Sequence, residues 1–193
     1  MMSVSAARLR QGTTICGISI AWVAAFELNG WVFSALEHTI RAHWIFLPAA
    51  LRLLAILMFG RIGAAGLVLG AYLTVQGTAG GDAVHEILLS LCSGITPLVA
   101  VGLGKWMLDV PGNLAGLRSM HIVVLCALCA SLNALVLNAY LLASGRPESS
   151  LVQILTIFVG DLLGAAIVLL LLAGILALIL PRTGRTPTMK PMQ

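Results

Sequence analysis

The stretch Trp44–Gly70, WIFLPAALRLLAILMFGRIGAAGLVLG, decides how the chain is read. It holds two apolar segments, Trp44–Phe59 and Ile62–Gln76, joined through the turn Gly60-Arg61-Ile62. Each is roughly 16 residues, short of the ~20 that an untilted helix needs to cross the hydrocarbon of a bilayer. Two full spans and a re-entrant hairpin both fit that length. Arg52 lies about eight residues into the first segment, ~12 Å deep at 1.5 Å per residue. An arginine there costs on the order of 2.5–3.5 kcal/mol on insertion scales. It is expected to face the protein interior and to have a partner.

The composition agrees with a membrane setting. Of the 193 residues, 60% are apolar and only 9% are charged, with a mean hydropathy of +1.04, far from an ordinary soluble domain. The expectation is an all-α, polytopic integral membrane protein of about six transmembrane helices in one bundle. Residues 1–11 form a polar N-terminal flank, residues 12–180 a single transmembrane domain, and residues 181–193 a basic, proline-containing tail expected to be disordered. The net charge of +4 sits mainly in the flanks and short loops, where it reads as topology. It does not form the folded basic face that a nucleic-acid partner requires.

Along the chain, the expected spans are Gly12–Ala35, the paired segments just described, Glu86–Gly104, Met120–Ala143 and Leu151–Leu180. Val23-Ala24-Ala25 offers a signal-peptide cleavage pattern, but the apolar run continues to Leu36, which favours a retained span. Arg8, Arg10, Arg61, Lys105, Arg118, Arg182, Arg185 and Lys190 fall on one side of this arrangement, and only Arg41 and Arg146 fall on the other. By the positive-inside rule both termini are expected to be cytoplasmic, in a multi-pass protein of the cell inner membrane.

Depth can then be compared between spans. Glu27, Arg52, Asn133 and Asp161 all fall about 12–15 Å from the outer boundary, with Asn29, Asn138, Gln153 and Thr96 in or near the same half. Intramembrane ionisable groups usually face an interior or a water-filled cavity and mark a functional pathway. Glu27, Asn29, Arg52, Asn133, Asn138 and Asp161 are therefore the candidate ligand-binding or buried polar cluster. Arg52 is expected to pair with Glu27, Asp161 or both. A purely structural ion pair that fixes helix register is the competing explanation.

Phe46-Leu47-Pro48-Ala49-Ala50-Leu51, then Leu57-Met58-Phe59-Gly60-Arg61, then Gly66-Leu67-Val68-Leu69-Gly70-Ala71, resemble the membrane-associated sensor domains of the MASE type. Gly160-Asp161-Leu162-Leu163-Gly164 resembles the G-D-x-x-G of a late span in that family. The resemblance implies a helical membrane sensor that works with a cytoplasmic histidine kinase or diguanylate cyclase. Here that output would be carried by a partner protein, because no output domain accompanies these spans. Ala50 stands where the family commonly has glycine. Six spans, small size and an outward-open pocket also resemble the substrate-capture subunits of energy-coupling-factor vitamin transporters, which act with a partner ATPase module. An accessory subunit of a larger membrane complex is a third possibility.

No catalytic set is visible, so an enzyme is not expected. No cofactor or metal is expected either. Cys126-Ala127-Leu128-Cys129 has C-x-x-C spacing but no nearby histidine, and reads as small packing residues. Gly102-Leu103-Gly104-Lys105 lacks the full phosphate-loop spacing. The Gly66–Gly70 and Gly160–Gly164 pairs read as close helix packing within the bundle. Trp22, Trp31, Trp44 and Trp106 read as interface anchors or core. The expected partners are membrane lipid, a protein partner (kinase, cyclase or transporter module) and a small-molecule ligand.

Overall fold

The structure is a computed structural model that describes residues 4–39, 42–76, 82–110, 114, 116–145 and 150–179. The tail expected to be disordered lies outside these residues. The described elements run α1 (Val4–Phe33), a 3-10 turn (Ser34–Leu36), β1 (Glu37–Thr39), β2 (Ala42–His43), α2 (Pro48–Phe59), α3 (Arg61–Val75), α4 (Ala83–Met107), α5 (Ser119–Ala143) and α6 (Leu151–Ile179). The two short strands pair antiparallel, with Glu37 opposite His43. Everything else with regular structure is helical.

Among the described residues four helices, α1, α4, α5 and α6, are long and apolar enough to cross a membrane. The described residues form six α-helices in all, and α2 and α3, with 12 and 15 residues, are the two short apolar ones, which leaves open whether they span or form a re-entrant hairpin. At 1.5 Å per residue they cover roughly 18 and 22 Å, against a hydrocarbon thickness of about 30 Å. Gly60 separates them at φ 53°, a left-handed backbone that glycine adopts without a Cβ penalty. Helix α1 also begins earlier than the polarity of the flank predicts, and α4 starts at Ala83 because the Asp82 side chain caps it, accepting the Val84 and His85 N–H groups.

Glycines set how closely the helices approach. A Cβ on Gly66 would lie 2.8 Å from Ile18 Cβ, and one on Gly70 would lie 2.7 Å from Trp22 Cβ, so this pair seats α1 on α3. The contact is closed by Ser19 Oγ donating to the Gly66 carbonyl at 2.9 Å and Trp22 Nε1 donating to Thr74 Oγ1 at 3.2 Å. Gly94 lets α4 approach α3, and Gly104 lets it approach α5. Ile18, Trp22, Leu53, Ile56, Leu67, Val101 and Leu125 form the apolar centre around these crossings.

The segment before α2 enters the bundle without helical structure. Phe46 N donates to the Gly160 carbonyl at 3.0 Å, and Gly160 lies about 14 Å along α6 from Leu151 at 1.5 Å per residue. A Cβ on Gly160 would lie 2.0 Å from the His43 carbonyl oxygen, and one on Gly164 would lie 2.0 Å from that of Phe46. The bare backbone of α6 is the surface on which this segment rests. Its next amide, Leu47 N, donates to Asn29 Oδ1 at 2.8 Å. Irregular backbone at this depth persists where protein groups satisfy it.

Candidate functional site

Three of the sequence-predicted residues meet at one carboxylate. Arg52 Nη1 donates to Asp161 Oδ2 at 2.9 Å, and Asn133 Nδ2 donates to the same oxygen at 2.7 Å. They come from α2, α6 and α5, and are 8%, 5% and 6% exposed, so the ion pair is buried inside the bundle. Asp161 reaches this position because Gly160 and Gly164, on either side of it, bring α6 against the segment that leads into α2. Arg52 follows Pro48 on α2, whose start that segment fixes.

The guanidinium lies against two aromatic rings that meet each other edge-on. Its central carbon lies 5.2 Å from the Trp22 ring centroid and 5.0 Å from that of Phe46, inside the range of cation–π attraction. Trp22 and Phe26 both meet the Phe46 ring edge-on, with centroids 6.2 and 6.3 Å apart. His43 stacks on Phe46, with centroids 5.7 Å apart. These aromatics border a cavity of about 320 Å³ whose wall also includes Arg52, Thr74, Ser93, Asn133 and Leu137. It occupies the end of the bundle that carries the β1–β2 ribbon, away from Arg61, Lys105 and Arg118.

Hydrogen bonding in the wall is incomplete. Among the described residues Arg52 makes one hydrogen bond, that to Asp161. Its Nε is buried without a partner, although a guanidinium carries five N–H donors. The Asn133 carbonyl oxygen and the Ser93 hydroxyl likewise take no hydrogen bond among the described residues. Behind the ion pair lies a second void of about 10 Å³, bordered by Arg52, Asp161, Cys126 and Cys129, the room of about one water molecule. Both cysteines are free thiols.

The other predicted residues stand apart from this centre. Glu27 is exposed, which corrects its assignment to the buried cluster and to Arg52. On α1 the inward stripe runs Ile18, Trp22, Phe26, Asn29, and Glu27 sits roughly 160° around the helix from Asn29 at about 100° per residue. Asn29 is 1% exposed and its carbonyl oxygen is committed to Leu47 N. Asn138 is buried further along α5, where its Nδ2 donates to the Ala134 carbonyl at 2.9 Å. Asn29 and Asn138 are buried polar residues outside the Asp161 cluster.

Sequence reasoning missed the aromatic wall. The sequence places Trp22 in core or interface, Phe46 enters only as the first residue of a family-like stretch, and Phe26, His43 and Ser93 carry no motif. The one available signal was the spacing of Trp22, Phe26 and Asn29, which puts them on one helical face. Near the cavity end, His85 Nδ1 also hydrogen-bonds the Tyr140 hydroxyl and the two rings stack at 5.3 Å, joining α4 to α5. No family model, no curated protein and no solved structure matches the chain.

Proposed function

We propose that this chain is a multi-pass inner-membrane protein that binds a small molecule in the Arg52 cavity and passes its occupancy to a partner protein. The observation that carries the reading is a void of about 320 Å³ against a nine-tenths buried arginine that leaves most of its donors unused. A pocket lined mostly by apolar and aromatic side chains, with a few polar groups aimed at it, is the usual form of a ligand site.

The same residues offer a route outward. The cavity wall is tied to α6 twice, through Arg52–Asp161 and through Phe46–Gly160. Beyond the cavity α6 continues to Ile179, and its residues from Leu170 onward are exposed. A change at Asp161 therefore acts on a helix whose far end is open to another chain. This suits the MASE-like reading, in which the partner is a kinase or cyclase. The cavity's position, away from Arg61, Lys105 and Arg118, equally suits a transporter capture subunit, whose partner would be an ATPase module.

Purification in mild detergent from native membranes, followed by extraction and mass spectrometry, tests the reading. Ser93→Phe fills the cavity and serves as the comparison. The expected result is a low-mass compound that copurifies with the unmodified protein and is lost from a Ser93→Phe protein of equal thermal stability. Equal retention by both overturns the proposal.

A further inference from the structure

The chemistry of the wall narrows the ligand, on the premise that the cavity binds one. We infer that the occupant is a neutral, planar aromatic or quinonoid molecule carrying a carbonyl oxygen, which accepts a hydrogen bond from the free edge of the Arg52 guanidinium.

Three observations lead there. The first is the imbalance of donors. Arg52 borders the cavity and uses one N–H, on Asp161, among the described residues, so most of the N–H groups on its terminal nitrogens are left for an acceptor there. The matching ligand group is an acceptor oxygen.

The second is charge. Asp161 already neutralises Arg52 at 2.9 Å, and Asn133 adds a further donor to the same carboxylate oxygen. A carboxylate ligand would bring an unbalanced negative charge next to Asp161 in a mostly apolar cavity, where buried charge is strongly disfavoured. A carbonyl oxygen accepts the same N–H without that penalty. An ammonium ligand would meet the guanidinium as a like charge.

The third is shape. Trp22, Phe26 and His43 each meet the Phe46 ring, with centroids 5.7–6.3 Å apart, and all four border the cavity. Such a wall suits another flat ring, by offset stacking or edge-to-face contact. A volume of about 320 Å³ lies at the small end of ligand pockets and suits one ring system rather than a dinucleotide.

The test uses three probes of one size: 2-acetylnaphthalene, which has the neutral carbonyl, 2-naphthoate, which has the anion, and 2-ethylnaphthalene, which has no acceptor. Each is titrated at pH 7 into the full-length protein in detergent, with thermal unfolding and calorimetry as readouts. Ser93→Phe reports partition into micelles. The expected result is saturable binding of 2-acetylnaphthalene that Ser93→Phe abolishes, with each of the other two probes at least tenfold weaker. Arg52→Lys should bring the ketone down to the level of 2-ethylnaphthalene. Tighter binding of 2-naphthoate overturns the neutral class while leaving a ligand cavity in place. Equal binding of ketone and hydrocarbon removes Arg52 as the recognising group. Failure of the ketone to bind above the Ser93→Phe background overturns the inference outright, and the retention experiment then judges the cavity separately.

Discussion

Phe46 and Gly160 are joined backbone to backbone at 3.0 Å, roughly 14 Å inside the bundle by the rise of α6. This single hydrogen bond places the start of α2, and with it Arg52, opposite Asp161. It also requires α6 to be bare at two positions one turn apart. A Cβ added at Gly160 or Gly164 would lie 2.0 Å from a carbonyl oxygen of the segment 43–46, and neither backbone has a flexible end that can yield.

Gly160→Ala and Gly164→Ala are accordingly expected to destabilise the protein by at least the roughly 1–3 kcal/mol typical of overpacking. Gly102→Ala, with nothing within 4 Å of the added methyl, is the control and should be neutral or slightly stabilising because alanine favours the helix. Thermal unfolding of the three variants in one detergent checks this. Equal midpoints for all three would show that α6 does not seat the segment.

Asn29 supplies the acceptor for Leu47 N at 2.8 Å. Asn29→Leu removes it and leaves a buried N–H unsatisfied, which costs about 1–3 kcal/mol. Asn29→Asp keeps the acceptor oxygen and should recover part of the loss. The readout is again the unfolding midpoint, and an Asn29→Leu protein as stable as the parent would contradict the role.

Arg52→Ala leaves Asp161 buried without its cation, an arrangement that typically costs about 3–5 kcal/mol. Arg52→Lys should restore only part, because an ammonium lacks the planar fork and is more strongly hydrated. Glu27→Gln, on the exposed side of α1, should change stability by no more than about 0.5 kcal/mol. A large loss at Glu27 would return that residue to the polar centre.

These contrasts show what the sequence carried and what it hid. Hydrophobicity and the spacing of breakers were enough to find the helices, because long apolar runs leave few other structures possible. Depth along those helices was enough to bring Arg52, Asn133 and Asp161 together. Depth does not define a face, and Glu27 has the right depth on the wrong side of α1. The break before Pro48 was equally hidden, because Trp44–Leu47 is as apolar as the helix that follows. What makes it irregular is a pair of glycines on α6 and an amide on α1, far away in sequence. The cavity left no periodic trace, since its wall takes one or two residues from each of several elements.

Orientation rests on the basic residues. In a background whose four cysteines are replaced, Ser150→Cys should react with an impermeant maleimide in intact cells, and Ser119→Cys only after permeabilisation. The reverse pattern would invert the topology and place the cavity on the cytoplasmic side.

The central claim is that Arg52 and Asp161 form part of a binding site and are not scaffolding alone. The most direct measurement replaces both with apolar residues, Arg52→Met with Asp161→Leu, and follows thermal stability and retention of the copurifying compound together. An apolar pair of similar volume often matches or exceeds the stability of a buried ion pair, so the double variant should unfold near the parent's temperature. It should also lose the compound. A double variant that is equally stable and still retains the compound would contradict the claim and leave the pair as packing.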